Sequence, residues 1–87
     1  MLHERLSIIV PFYNPPYALF EQCLMHLKAL KAYEVLLVDD CSSEPKSIAL
    51  AQKSGFTYLK TPYQSGHDGL PFNLGLQQAK GHYVCAK

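Results

Sequence analysis

The sequence predicts an α/β fold built on a parallel sheet, and three observations carry that expectation. Short β-branched or apolar runs alternate along the chain with stretches of helical periodicity, the pattern of β-α-β units with right-handed crossovers. The run Val35-Leu36-Leu37-Val38 is apolar at every position, as expected of a short strand covered on both faces rather than one. Gly55 and Gly81 punctuate the second and third helical stretches, where a helix is most readily stopped.

Taken in order, Leu6 to Val10 is short, β-branched and bounded by Pro11, which suits a first strand. The following Pro11-Phe12-Tyr13-Asn14-Pro15-Pro16 is expected to end it, because proline fixes φ and donates no amide hydrogen. From Tyr17 to about Lys31, Phe20, Cys23, Leu24, Leu27 and Leu30 recur at three- and four-residue steps, giving one apolar stripe along a helix. Tyr33 to Val38 forms the second strand and ends in Asp39-Asp40. Ser42-Ser43-Glu44-Pro45 offers cap residues and a first-turn proline for a helix from about Pro45 to Lys53. Phe56 to Leu59 is a third strand, Thr61 to Gly69 a turn-rich loop, and Leu70 to Ala79 a third helix carrying Phe72, Leu74, Leu76 and Ala79. His82 to Ala86 completes a β-α-β-α-β-α-β order.

A chain of 87 residues makes one small domain, and such a domain buries only about 60 to 65% of the surface its unfolded chain exposes. Nearly half the residues are apolar and the formal net charge is +1, with eight Lys and Arg against seven Asp and Glu. The composition is that of a globular protein, and without a basic run it nominates neither nucleic acid nor an anionic membrane surface as partner. Cys23, Cys41 and Cys85 show no metal-type spacing, and a reducing, cytoplasmic setting is the expectation. The Leu6 to Val10 run is too short for a membrane span.

In an open parallel sheet, ligands bind in the crevice beyond the carboxyl ends of the strands. Three polar features fall there: Pro11 to Asn14, Asp39-Asp40, and the Tyr63 to Gly69 loop. Neighbouring residues on an extended chain send their side chains to opposite faces, so Asp39 and Asp40 are expected to have different jobs. A carboxylate at this place suits uracil, whose N3–H is a donor, better than cytosine, which presents an acceptor. The plainer alternative is that both aspartates cap the loop and the helix after it. Tyr13 offers an aromatic face to a base and a polar tip to a ribose. A glycine-rich GxGxxG turn is absent after the first strand, which argues against a dinucleotide-binding site and for a diphosphate neutralised by a metal held elsewhere.

Ser7-Ile8-Ile9-Val10-Pro11-Phe12-Tyr13-Asn14, then Glu34 to Ser42 with its Asp39-Asp40 pair, then Asn73-Leu74-Gly75-Leu76 with Ala79, Gly81 and Tyr83, resembles the start of the family 2 glycosyltransferases. The resemblance covers nearly the whole chain. It implies the Rossmann-like N-terminal half of a GT-A domain, with an acceptor-binding half as its partner. It implies a UDP-sugar or related nucleotide sugar as donor and a glycan or lipid-linked acceptor, in the cytoplasm or at the cytoplasmic face of a membrane. Pro11 and Tyr13 would line the uridine pocket, Asp40 with Asp39 beside it would read the base, and Gly66 and Asn73 would approach the sugar nucleotide. Relatives often carry an arginine just before that asparagine; here Phe72 stands in its place, leaving Lys60 or His67 as substitutes for a diphosphate contact. The family's acidic motif, which holds Mg²⁺ or Mn²⁺, and its catalytic base are expected only after Lys87, so no catalytic or metal residue is assigned within the chain.

Other polar residues have plain readings. His67-Asp68 suits a solvated loop, His3, His26 and His82 show no ligand spacing, and Cys41 fills a small-residue slot near the crevice. Two alternatives to an enzyme segment follow from the same residues. One is a non-catalytic nucleotide-binding or interaction module. The other is a phosphoacceptor domain, disfavoured because its acidic pair is expected after the first strand rather than the second.

Overall fold

The computed structural model describes residues 6–66 and 69–80 and the backbone of 83–86. The elements are β1 (Leu6–Phe12), α1 (Tyr17–Leu30), β2 (Glu34–Asp39), α2 (Pro45–Lys53), β3 (Thr57–Lys60), α3 (Gly69–Gln78) and β4 (Tyr83–Ala86). The four strands form one parallel sheet in the order β3-β2-β1-β4. This is the α/β order expected from the sequence. The His67-Asp68 pair, His3 and His82 lie outside the described residues.

The pleat divides the core in two. Ile8, Val10 and Phe12 of β1 with Val35 and Leu37 of β2 meet Phe20, Leu24 and Leu27 of α1 and Ala51 of α2 on one face. Ile9, Leu36 and Val38 form the other, against Phe72, Leu74 and Ala79. Leu36, Leu37 and Val38 are almost wholly buried, and each such side chain removed from water contributes on the order of 1.5 to 3 kcal/mol. The continuous apolar run in β2 is thus explained by cover on both sides. Leu76, one turn beyond Phe72, is exposed and takes no part in this cluster.

One expectation changes. Pro11 does not end β1, which continues through Phe12 in register with Val38 and Asp39. The carbonyl of Phe12 accepts from the Asp40 amide at 2.9 Å, so the polar groups of Phe12 face β2 and those of its neighbour Pro11 face the other way. On that side the described pairing with β4 runs from Leu6 to Ile9, so among the described residues the missing amide hydrogen of Pro11 interrupts no ladder.

The ends of the elements are held by side chains. At the amino end of the sheet, the Glu34 carboxylate accepts from the Ser7 hydroxyl at 2.8 Å and from the Lys80 amide, tying the exit of α3 to the first two strands. The cap of α2 is Glu44, which accepts from the Lys46 amide at 3.3 Å, and not Ser42 or Ser43. Lys31 closes α1 in the left-handed conformation, φ 53°, a position usually given to glycine or asparagine.

Gly75 sets how closely α3 lies on the sheet. A methyl group there would meet Cγ2 of Ile9 at 2.6 Å and Cγ1 at 3.1 Å, and Ile9 is fully buried and stiff about χ1. Alanine is the better helix former by about 1 kcal/mol, yet Gly75→Ala is expected to destabilise the chain by about 1 to 3 kcal/mol through overpacking. In urea denaturation the Ile9→Ala/Gly75→Ala pair should cost clearly less than the sum of its singles, the sign of a direct clash.

Candidate functional site

Because all strands run the same way, β1, β2 and β3 deliver their following loops to one end of the sheet, and the residues singled out there form a connected cluster. The loop after β1 is tied to the loop after β2 through Asn14. Its Oδ1 accepts from the amides of Ser43 and Glu44, both at 2.9 Å, its Nδ2 donates to the Ser43 hydroxyl at 3.2 Å, and its own amide donates to Ser42 Oγ at 2.8 Å. Asn14 adopts φ 43°, which asparagine tolerates better than most residues. Ser47 Oγ adds a bond to the Pro15 carbonyl at 3.1 Å.

The two aspartates at the end of β2 part as the pleat requires. Asp39 has no solvent exposure. Its Oδ1 accepts from the Ser42 amide at 2.7 Å and its Oδ2 from the Tyr58 hydroxyl at 2.6 Å. The phenol is pushed well above the ordinary tyrosine range, first by burial and then by its bond to, and the charge of, Asp39, with a further contribution from Cys41. Tyr58 therefore stays protonated and remains a donor to the carboxylate.

Asp40 turns to the face that carries α3 and is tied to the loop after β3. Its carboxylate accepts from the Ser65 amide at 3.0 and 3.1 Å, the Ser65 hydroxyl at 3.0 Å to each oxygen, the Gly66 amide at 3.1 Å and the Thr61 hydroxyl at 3.1 Å. Thr61 shares its one hydroxyl hydrogen with the Tyr63 carbonyl, 2.8 Å away. Burial acts to raise the Asp40 pKa, but the combined Ser65, Gly66 and Thr61 donors outweigh it and hold the carboxyl below the usual range. Cys41, in the left-handed conformation, directs its thiol at the Thr61 carbonyl, 3.1 Å away.

Of the six residues named from the sequence, Asp39, Asp40 and Gly66 stand inside this cluster and Pro11 at its edge, paired with Val38. Tyr13 is about half exposed at the mouth. Asn73 lies exposed one turn into α3, apart from the hydrogen-bonded cluster. Sequence reasoning missed Tyr58, Thr61 and Ser65 as partners of the acidic pair. The serine and threonine beside Pro62 and Gly66 carried only the generic signal of turn-forming residues.

A cleft of about 530 Å³ between α1 and α2, lined by Tyr17, Lys46, Ala49, Leu50 and Lys53, is the most prominent concavity among the described residues. It holds no convergent polar groups beyond two rim lysines, so the loop cluster, rich in oriented donors and acceptors, is the better site. Among the described residues no group of three His, Cys, Asp or Glu side chains is placed to hold a metal ion. Asp39 and Asp40 spend their oxygens on protein donors, so these residues do not fit a divalent cation. Among the described residues, no helix is long and apolar enough to cross a membrane.

Two measurements check these assignments. Tyr58→Phe leaves a buried carboxylate oxygen without its donor and should cost about 1.5 to 3 kcal/mol in chemical denaturation at neutral pH. Adding Asp39→Asn to it should cost less than the separate effects predict. For Asp40, the folded pKa lies below the unfolded value of about 3.9, so the unfolded chain binds more protons between the two. Its stabilisation is full above about pH 4 and is lost as pH falls through the folded value. The gap in denaturation midpoint between wild type and Asp40→Asn should accordingly be constant near neutrality and close in acid.

No individual curated protein matches the chain significantly. A family model described as glycosyl transferase family 2 matches residues 7–86, a span that takes in β1 with its Pro11-Phe12-Tyr13-Asn14 exit, the Asp39-Asp40 pair, the loop after β3 and all of α3. The chain belongs to glycosyl transferase family 2.

Proposed function

We propose that the crevice at the carboxyl ends of β1, β2 and β3 holds the nucleoside diphosphate of a sugar donor, with uridine as its nucleoside. The observation that carries this is the position of Asp40: a carboxylate kept ionised, at the end of a central strand, with Tyr13 on the neighbouring loop and Gly66 in the loop beyond. An ionised carboxylate only accepts hydrogen bonds, so it favours the N3–H of uracil over the bare N3 of cytosine. Tyr13 offers an aromatic face for the base, and the exposed side of Pro11 continues that wall. Asp39 serves as the support behind the pair, since its oxygens are taken by Ser42 and Tyr58. On this reading Gly66 and Asn73 would approach the sugar nucleotide.

Membership of the family supports glycosyl transfer as the activity of the protein to which these residues contribute. On this reading the donor is a UDP-sugar or a close relative and the acceptor a hydroxyl of a glycan or lipid-linked sugar. An acceptor-binding half of the GT-A domain supplies the catalytic base, and acidic residues following Lys87 hold Mg²⁺ or Mn²⁺. The cytoplasm, or the cytoplasmic face of a membrane, is the corresponding location. The residues described here would bind and orient the nucleotide; no bond-making step is assigned to them.

Calorimetric titration with UDP and CDP tests the base-reading role. UDP should bind more tightly than CDP, and Asp40→Asn should remove that preference, with a loss for UDP of about tenfold or more. Tyr13→Ala should weaken both nucleotides by about 1 to 3 kcal/mol, since stacking does not distinguish them. Equal binding of UDP by wild type and Asp40→Asn would withdraw the base-reading assignment.

A further inference from the structure

The carboxylate on which the nucleotide reading depends is already engaged. A carboxylate offers about four lone-pair directions, and four donors converge on Asp40: the Ser65 amide, the Ser65 hydroxyl, the Gly66 amide and the Thr61 hydroxyl. All come from the six-residue stretch Thr61 to Gly66. Asp40 is 4% exposed, so solvent scarcely reaches it while these bonds stand. A base approaching with its own N–H therefore finds neither a free oxygen nor an open path.

From these contacts we infer that the Thr61–Gly66 loop is a strap that occupies the base-reading carboxylate and must release it when a nucleotide binds. This deepens the nucleotide reading and rests on it. The exchange is balanced in kind: Ser65 and Gly66 present N–H donors to the carboxylate, and a uracil ring presents another. What the strap loses on release, water and the bound nucleotide restore.

The loop is built to be held and let go. Its attachment to the fold at Thr61 is firm, through the Thr61 amide to the Asp39 carbonyl at 2.9 Å and a side chain almost fully buried. Farther along, Pro62, Tyr63, Gln64 and Gly66 are exposed and Ser65 is half-buried. Gly66 sits at φ 80°, with open space where a side chain would be. The distal part of the strap therefore has little apolar burial to lose, and Asp40 supplies its principal described anchor. A site whose competent state is only a fraction of the population shows an affinity reduced by that fraction. Loosening the strap should accordingly strengthen nucleotide binding, the reverse of the usual result of deleting a polar residue from a binding cleft.

The test uses the chain with UDP as the probe. Ser65→Ala removes one of the four donors without touching the carboxylate and should bind UDP more tightly by roughly tenfold, whereas Ser65→Thr, which keeps the hydroxyl, should return to the wild-type value. Hydrogen exchange gives a second readout: the Ser65 and Gly66 amides should be protected in the free protein, exposed in Asp40→Asn, and faster to exchange when UDP saturates the wild type. UDP binding to the wild type with both amides still protected, or weaker or equal binding by Ser65→Ala, overturns the strap and leaves the nucleotide reading in place. Failure of UDP to bind any of these proteins overturns the nucleotide reading itself and the strap with it.

Discussion

Asp39 ends a strand that is buried on both faces, and its carboxylate has no contact with water. A charge in that position is tolerable only if its oxygens meet donors of good geometry, because an unpaired buried carboxylate costs far more than a single hydrogen bond returns. Ser42 and Tyr58 provide those donors. In doing so they fix the chain reversal after β2 and the side-chain packing of β3, and they leave the next residue, Asp40, pointing to the opposite face. The loop after β1 is fastened by Asn14 to the same reversal. The crevice is thus a network in which each loop is positioned by the one beside it, and among the described residues no buried side-chain nitrogen or oxygen lacks a partner.

Much of the architecture was legible because it follows from period and composition. The all-apolar run in β2, the stripe of Phe20, Leu24 and Leu27, and the stop at Ser54-Gly55 each reflect a local rule acting on consecutive residues. The continuation of β1 through Pro11 was not legible, since it depends on which neighbouring strand the polar groups of Phe12 face, a fact of sheet order rather than of the strand itself. Likewise Glu44, directly before Pro45, is the cap of α2, while Ser42 and Ser43 are engaged by Asn14. A cap preference read from sequence assumes that the candidate side chains are free, and tertiary contacts removed that freedom.

The site shows the same division. Opposite faces for Asp39 and Asp40 followed from the pleat alone. Their partners did not: Tyr58 lies 19 residues beyond Asp39 and Ser65 25 residues beyond Asp40, and no local pattern announces such a pairing. The plain reading, that these aspartates hold loops in place, describes the contacts the structure contains, and the proposed one, that Asp40 faces a ligand, calls on the same carboxylate. A carboxylate that anchors a loop is also one held below its usual pKa by N–H and O–H donors, so the proposal asks for no group that the loop contact does not already use.

The close approach at Gly75 bears on how such a chain can diverge. The helix is seated by an absent atom, so position 75 has no neutral first move while isoleucine remains at position 9. Residue 9 would have to become smaller before residue 75 could become larger, at the cost of a cavity in the interval. Drift through this pair is therefore ordered in time, and lineages that share the fold should keep a small residue at 75 long after their surface helices have lost any visible likeness.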